Sequence, residues 1–141
     1  MIVCETELKV RYNETGQNGI AHHSNYYNWF DIVQEEFLRK NGYTYDDLAG
    51  KGLFFPHMET KCRFFCPVRH FENIVVKMSI QEMGEVKCIF EYEVTGKEDG
   101  RLIAKAEVVQ AFVNEKMKPT ALKKALPELY ILLKSNASNK V

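Results

Sequence analysis

Arg11-Tyr12-Asn13-Glu14-Thr15-Gly16-Gln17-Asn18-Gly19-Ile20-Ala21-His22-His23-Ser24-Asn25-Tyr26 joins the end of a strand pattern to the start of a long apolar helix pattern. Upstream, Cys4, Thr6, Leu8 and Val10 alternate with Glu5, Glu7, Lys9 and Arg11, the period-2 signature of a half-buried strand over residues 4–12. Gly16 and Gly19 punctuate a polar loop over 13–21. Ser24 is the predicted N-cap, and the helix is expected to run to about Asn41 with Gly42 as its stop. A helix start carries unpaired backbone N–H groups and the positive end of a dipole, which suits a developing oxyanion. His22 and His23 stand immediately before it, where an ionisable side chain can handle water or a proton.

The helix is apolar around most of its circumference. Tyr26, Tyr27, Trp29, Phe30, Ile32, Val33, Phe37 and Leu38 leave only a restricted polar face of Asp31, Gln34, Glu35, Arg39 and Lys40. Such a helix needs to be wrapped rather than laid on a surface. A short helical turn follows over 43–49, ended by Gly50 and Gly52. Beyond it the pattern is mostly strand: a long or broken run over 53–65 closed by Cys66-Pro67, then runs over 73–83, 86–95 and 102–114 separated by glycine-bearing turns. Pro119 opens a C-terminal helix to about Leu133, which Pro127 should interrupt, and residues 135–141 read as a frayed tail. Consecutive strands joined by short turns form an antiparallel sheet. The expected architecture is therefore α+β: a curved antiparallel sheet wrapped around one long central helix, as a single domain over residues 1–141. Such a sheet has two edges, so pairing with a second copy is expected.

Bulk composition narrows the function classes. Lys plus Arg and Asp plus Glu are 19 each, so bulk charge gives no support for a nucleic-acid partner. No signal-peptide pattern and no membrane span are visible, which predicts a cytoplasmic protein whose cysteines Cys4, Cys62, Cys66 and Cys88 are free thiols. Cys62 and Cys66 lie near His57 and His70 but match no strong zinc spacing, so no metal is assigned.

This architecture, taken with the residues quoted above, resembles the hotdog-fold acyl-CoA thioesterases of the 4-hydroxybenzoyl-CoA thioesterase and YbgC type. The resemblance is most specific in Arg11-Tyr12 through Gly19-Ile20, in His23-Ser24-Asn25-Tyr26 and in Trp29-Phe30-Asp31. Glu36-Phe37-Leu38-Arg39 followed by Gly42 adds to it, as does Phe65-Cys66-Pro67 ahead of Phe71-Glu72. It implies an active site at the dimer interface near the start of the central helix, where the backbone N–H of His23 polarises the thioester carbonyl. It implies no cofactor, a homodimer or homotetramer, and Tyr12 and His23 as companions of a catalytic Asp.

That Asp falls on Gly16, which can do no acid–base work. The base is therefore sought elsewhere, first in Glu14, two residues upstream, and second in Asp31 on the helix, where some hotdog thioesterases place their carboxylate. His23 and Tyr12 would position the water. Asn18 and Gly19 belong to the substrate loop, and Arg63 and Arg69, with His70, can meet coenzyme A phosphates through charge-assisted bonds. The predicted activity is hydrolysis of a small, medium or aryl acyl-CoA to free acid and coenzyme A. Acyl-ACP thioesterases resemble the chain more weakly: of their Asp-x-Asn-x-His loop pattern, only Asn18 survives here. The rival readings are an acyl-ACP thioesterase, a non-catalytic acyl-thioester binder favoured by Gly16, and a hotdog dehydratase using His23.

Overall fold

The computed structural model describes residues 1–138. Strand β1 (Cys4–Lys9) leads through a single 3-10 turn (Tyr12–Glu14) and a loop into helix α1 (Ser24–Lys40). A short helix α2 (Tyr45–Gly50) follows, then β2 (His57–Phe64), β3 (Asn73–Met83), β4 (Lys87–Gly96) and β5 (Leu102–Ala111). Helices α3 (Leu122–Ala125) and α4 (Pro127–Asn136) close the described chain. The five strands form one antiparallel sheet in the order β1-β3-β4-β5-β2. The chain thus leaves one edge at β1, crosses the sheet as α1, and re-enters at the opposite edge as β2. The β3–β4–β5 meander then fills the space between. This is the curved-sheet-and-helix arrangement expected from the sequence.

The packing follows from the alternation. In β3, Ile74, Val76, Met78 and Ile80 turn inward and are fully buried, while Val75, Lys77, Ser79 and Gln81 face out. In α1, Tyr26, Trp29, Phe30, Val33, Phe37 and Leu38 are buried against the concave face. Phe30 stacks on Tyr92 of β4 with ring centroids 4.6 Å apart. Burying one such side chain stabilises the fold by roughly 1.5–3 kcal/mol. Register irregularities at Ile80/Glu82 in β3 and Val94/Thr95 in β4 locally increase twist, which helps the sheet curl. Gln34, the one polar residue of α1 fully inside, is satisfied. Its amide donates to Gln110 Oε1 at 2.7 Å, and Tyr45 Oη donates to its oxygen at 2.6 Å.

The ends of α1 explain its position. Gly42 adopts φ 89°, the Gly42 N–H donates to the Arg39 carbonyl, and the Tyr43 N–H donates to the Leu38 carbonyl. That is the Schellman closure predicted from the glycine. The start departs from expectation: His23 occupies the cap position and Ser24 is the first helical residue, its hydroxyl paired with His22 Nδ1 at 2.8 Å. Pro127 does break the C-terminal segment, at the first position of α4, where a missing N–H costs nothing. The frayed tail is corrected in part. Helix α4 runs on through Asn136, Ala137 pairs with Ile80, and the Ser138 N–H donates to the Ile80 carbonyl at 2.9 Å. Residues 139–141 lie outside the described part. Among the described residues no helix is long and apolar enough to cross a membrane.

Candidate active site

The loop ahead of α1 folds back on itself as a small hairpin. Thr15 bridges Ala21, the Gly16 N–H donates to the Ile20 carbonyl at 2.9 Å, and Gly19 takes the left-handed φ of 75° that the tight reversal requires. A hollow of about 500 Å³ opens between this hairpin, the start of α1 and the end of β2. Gly16, Asn18, Ile20, His22 and His23 form one side, and Tyr26, Phe64, Phe65 and Cys66 form the other. Tyr26 and Phe64 meet edge-to-face at 4.8 Å, which makes that second wall aromatic.

Backbone donors at the helix start are consumed one after another, with one exception. The Ala21 N–H goes to the Val68 carbonyl and the His22 N–H to the Glu14 carbonyl. Ser24 N–H is taken by His22 Nδ1, Asn25 N–H by the His22 carbonyl and Tyr26 N–H by the His23 carbonyl. Among the described residues the His23 N–H meets no acceptor, and His23 lines the hollow. One unpaired donor at the positive end of a 17-residue helix is a place for a polarised carbonyl oxygen.

The candidate carboxylates differ sharply. Glu14 is buried and its carboxylate points away from the hollow. Oε1 accepts from the Arg11 N–H at 2.9 Å, and Oε2 accepts from Trp29 Nε1 at 3.0 Å and Arg11 Nη2 at 3.2 Å. Burial by itself would raise its pKa, but these bonds outweigh it and hold the carboxyl below its ordinary value. Glu14 ties the loop to α1 and is a weak base. Asp31 lies half-exposed on the open side of α1, with its carboxylate 4.0 Å from His57 Nε2. Desolvation raises its pKa, against a smaller opposing pull from His57. A raised carboxylate pKa strengthens a general base.

The other expected residues are dispersed. Asn18 lines the hollow, and Gly19 shapes the hairpin beside it. Tyr12 is 73% exposed and does not line the hollow; its ring meets His70 instead. Arg69 reaches the hairpin, donating from Nη1 to the Asn18 carbonyl at 3.3 Å. Arg63 points to the opposite, outer face of the sheet, beside Lys77, Lys105 and Glu93. Gly16 has room: a Cβ there would meet only the Ile20 carbonyl oxygen at 3.9 Å. Three features were not read from the sequence: the Glu14–Trp29 bond, the proximity of His57 to Asp31, and the aromatic wall from the end of β2. Each joins residues from separate elements, so no local spacing announces it.

Comparison with known proteins identifies the family of this chain. The model of the thioesterase-like superfamily matches residues 10–129. YneP of Bacillus subtilis is 30% identical over 129 residues, 91% of this chain and 93% of YneP. The acyl-CoA thioester hydrolase YbgC of Escherichia coli O6:H1 is 24% identical over 120 residues, 84% of this chain and 89% of YbgC. Among solved structures, a DHNA-CoA thioesterase from Staphylococcus aureus superposes with a TM-score of 0.86 at 25% identity, covering 92% of this chain and 87% of that one.

Proposed function

Because the chain belongs to the thioesterase-like superfamily, we propose that it hydrolyses acyl-CoA thioesters to a free acid and coenzyme A. The observation that carries the mechanism is the unpaired His23 N–H on the wall of the hollow. The thioester carbonyl oxygen accepts from this N–H, which stabilises the negative charge that develops as water attacks. Asp31 takes the proton from that water. Collapse of the tetrahedral intermediate breaks the C–S bond, and the proton held by Asp31 passes to the departing thiolate. The aromatic wall of Tyr26, Phe64 and Phe65 suits an aryl or medium-chain acyl group.

One chain cannot complete this arrangement. His23 and Asp31 are eight residues apart on one helix, about 12 Å along its axis at 1.5 Å per residue, whereas base and oxyanion donor must meet around one carbonyl carbon. A second copy supplies the missing carboxylate. Strand β2 is an open edge, exposed over nearly its whole length, and Ile32, Met58, Phe64 and Phe65 are exposed apolar residues on or beside that side. Two-fold pairing of β2 edges would extend the sheet and set the two α1 helices antiparallel. Each His23 would then face Asp31 of the partner subunit.

The test is thiol release from short, medium, long and aryl acyl-CoAs and from acyl-ACP. His23 has φ −57°, which proline adopts without strain, so His23→Pro deletes the N–H with little cost to the helix. His23→Pro is expected to lose about a hundredfold in kcat while His23→Ala, which keeps the N–H, loses much less. Equal losses in both variants would contradict the assignment. Binding without turnover by the wild type would favour the non-catalytic reading that Gly16 invites.

A further inference from the structure

Strand β2 enters the sheet through an irregularity. His57 lies opposite Gln110 and Glu59 lies opposite Val109, so Met58 is the extra residue of a β-bulge. Bulges re-aim the side chains beside them. Here His57 is turned toward α1, with Nε2 4.0 Å from Asp31 Oδ1. At that distance the pair is not hydrogen-bonded, so the ring acts on the carboxylate through its charge.

The core holds this pair at a fixed separation. Buried Gln110 donates from Nε2 to the Phe55 carbonyl at 2.8 Å, just ahead of His57. The Ala111 N–H donates to the Pro56 carbonyl at 3.0 Å. On its other side, Gln110 Oε1 accepts from Gln34 Nε2 at 2.7 Å, and Gln34 follows Asp31 by about one helical turn. One amide therefore fastens both the segment that leads into His57 and the turn of α1 that carries Asp31. A buried hydrogen-bonded network of this kind is rigid.

Other groups also face Asp31. Tyr45 of α2 and Tyr92 of β4 feel its charge, and burial, reinforced by that charge, pushes both phenols up, so neither ionises near neutral pH. Glu35, on α1 itself, is paired with Arg39 at 2.9 Å. Among the described residues His57 is thus the group opposite Asp31 that can carry a positive charge or none. We propose that His57 is a positioning residue for Asp31: its cationic form keeps the carboxylate ionised but weak, and its neutral form releases the full strength of the base. This rests on the acyl-CoA hydrolysis and the Asp31 base proposed above.

The test is the pH dependence of kcat and kcat/KM on acyl-CoA for the wild type, His57→Gln, His57→Lys and Asp31→Asn. A cation beside Asp31 favours its ionised form, so the two His57 variants act with opposite signs. His57→Gln removes the cationic form and is expected to move the rising limb to higher pH. His57→Lys keeps a cation throughout and is expected to move the limb to lower pH, with the plateau of kcat down about tenfold because the base is weaker. A merely structural role would alter rate or stability and leave the midpoint in place. The ring is half-exposed, so both variants are expected to melt close to the wild type. Only opposite displacements support the proposal; midpoints that stay put, or move in one direction, overturn it. A limb lost in Asp31→Asn but unmoved in both His57 variants overturns the role of His57 alone. A limb that survives Asp31→Asn, or a wild type that cleaves no acyl-CoA, overturns the underlying reading and the role of His57 with it.

Discussion

Two carboxylates near the same helix have opposite surroundings. Glu14, under the helix start, is buried and accepts three hydrogen bonds, with its pKa held down. Asp31, on the open side of α1, has a lone histidine at 4.0 Å and a pKa pushed up by desolvation. Proximity to the thioester loop along the chain favoured Glu14. A carboxylate saturated with donors holds structure together, whereas one left without donors keeps the basicity that chemistry requires.

Substitution at each position separates the two roles. Asp31→Asn is expected to lower kcat/KM by about a hundredfold or more with little change in melting temperature. The wild-type rate should rise with pH as Asp31 deprotonates. Because its pKa is raised, the midpoint of that limb should lie above the ordinary carboxylate range, and Asp31→Asn should abolish the limb. A pH–rate profile checks both points.

Glu14→Gln has the smaller effect on rate and the larger one on folding. It keeps one acceptor but turns an amide toward the Arg11 and Trp29 donors, at a cost of about 1–3 kcal/mol. For a chain of this size that is a fall of several degrees in melting temperature. The sign of its pH dependence follows from the lowered folded-state pKa. The stabilisation by Glu14 is complete above the carboxylate pKa of the unfolded chain and is lost as pH falls through the lower folded value. The gap between wild type and variant in thermal melts should therefore be widest near neutral pH and close in strong acid. A large rate loss with no stability loss would exchange the two roles.

Local rules carried most of the fold. Alternation marked the strands, Gly42 marked the end of α1, and Pro127 marked the break in the C-terminal helical segment, because each of these acts within a few residues; Pro119, expected to open that segment, instead pairs with Val113, and helix begins at Leu122. What local rules could not carry lies in long-range pairing. Gln34 meets Gln110 across 76 positions, and Glu14 meets Trp29 around the helix start. At the site, the family resemblance made the His23 N–H legible, and the structure leaves it without an acceptor among the described residues. The role of Glu14 was not, since an acid in a polar loop reads as exposed until the loop folds under Trp29. Tyr12 stands apart from the hollow for the same reason: a 3-10 turn carries it off the strand and out toward His70.

In the proposed dimer one hydrolytic centre draws its N–H from one subunit and its carboxylate from the other. Mixing His23→Pro with Asp31→Asn under conditions that exchange subunits tests it directly. In a mixed dimer one of the two sites then holds both an intact His23 N–H and an intact Asp31. Two nearly inactive proteins are expected to regain about a quarter of wild-type activity at equal mixing, since half the dimers are mixed and each has one working site. No recovery, with subunit exchange confirmed by mass, would place both groups within one chain and contradict the shared site.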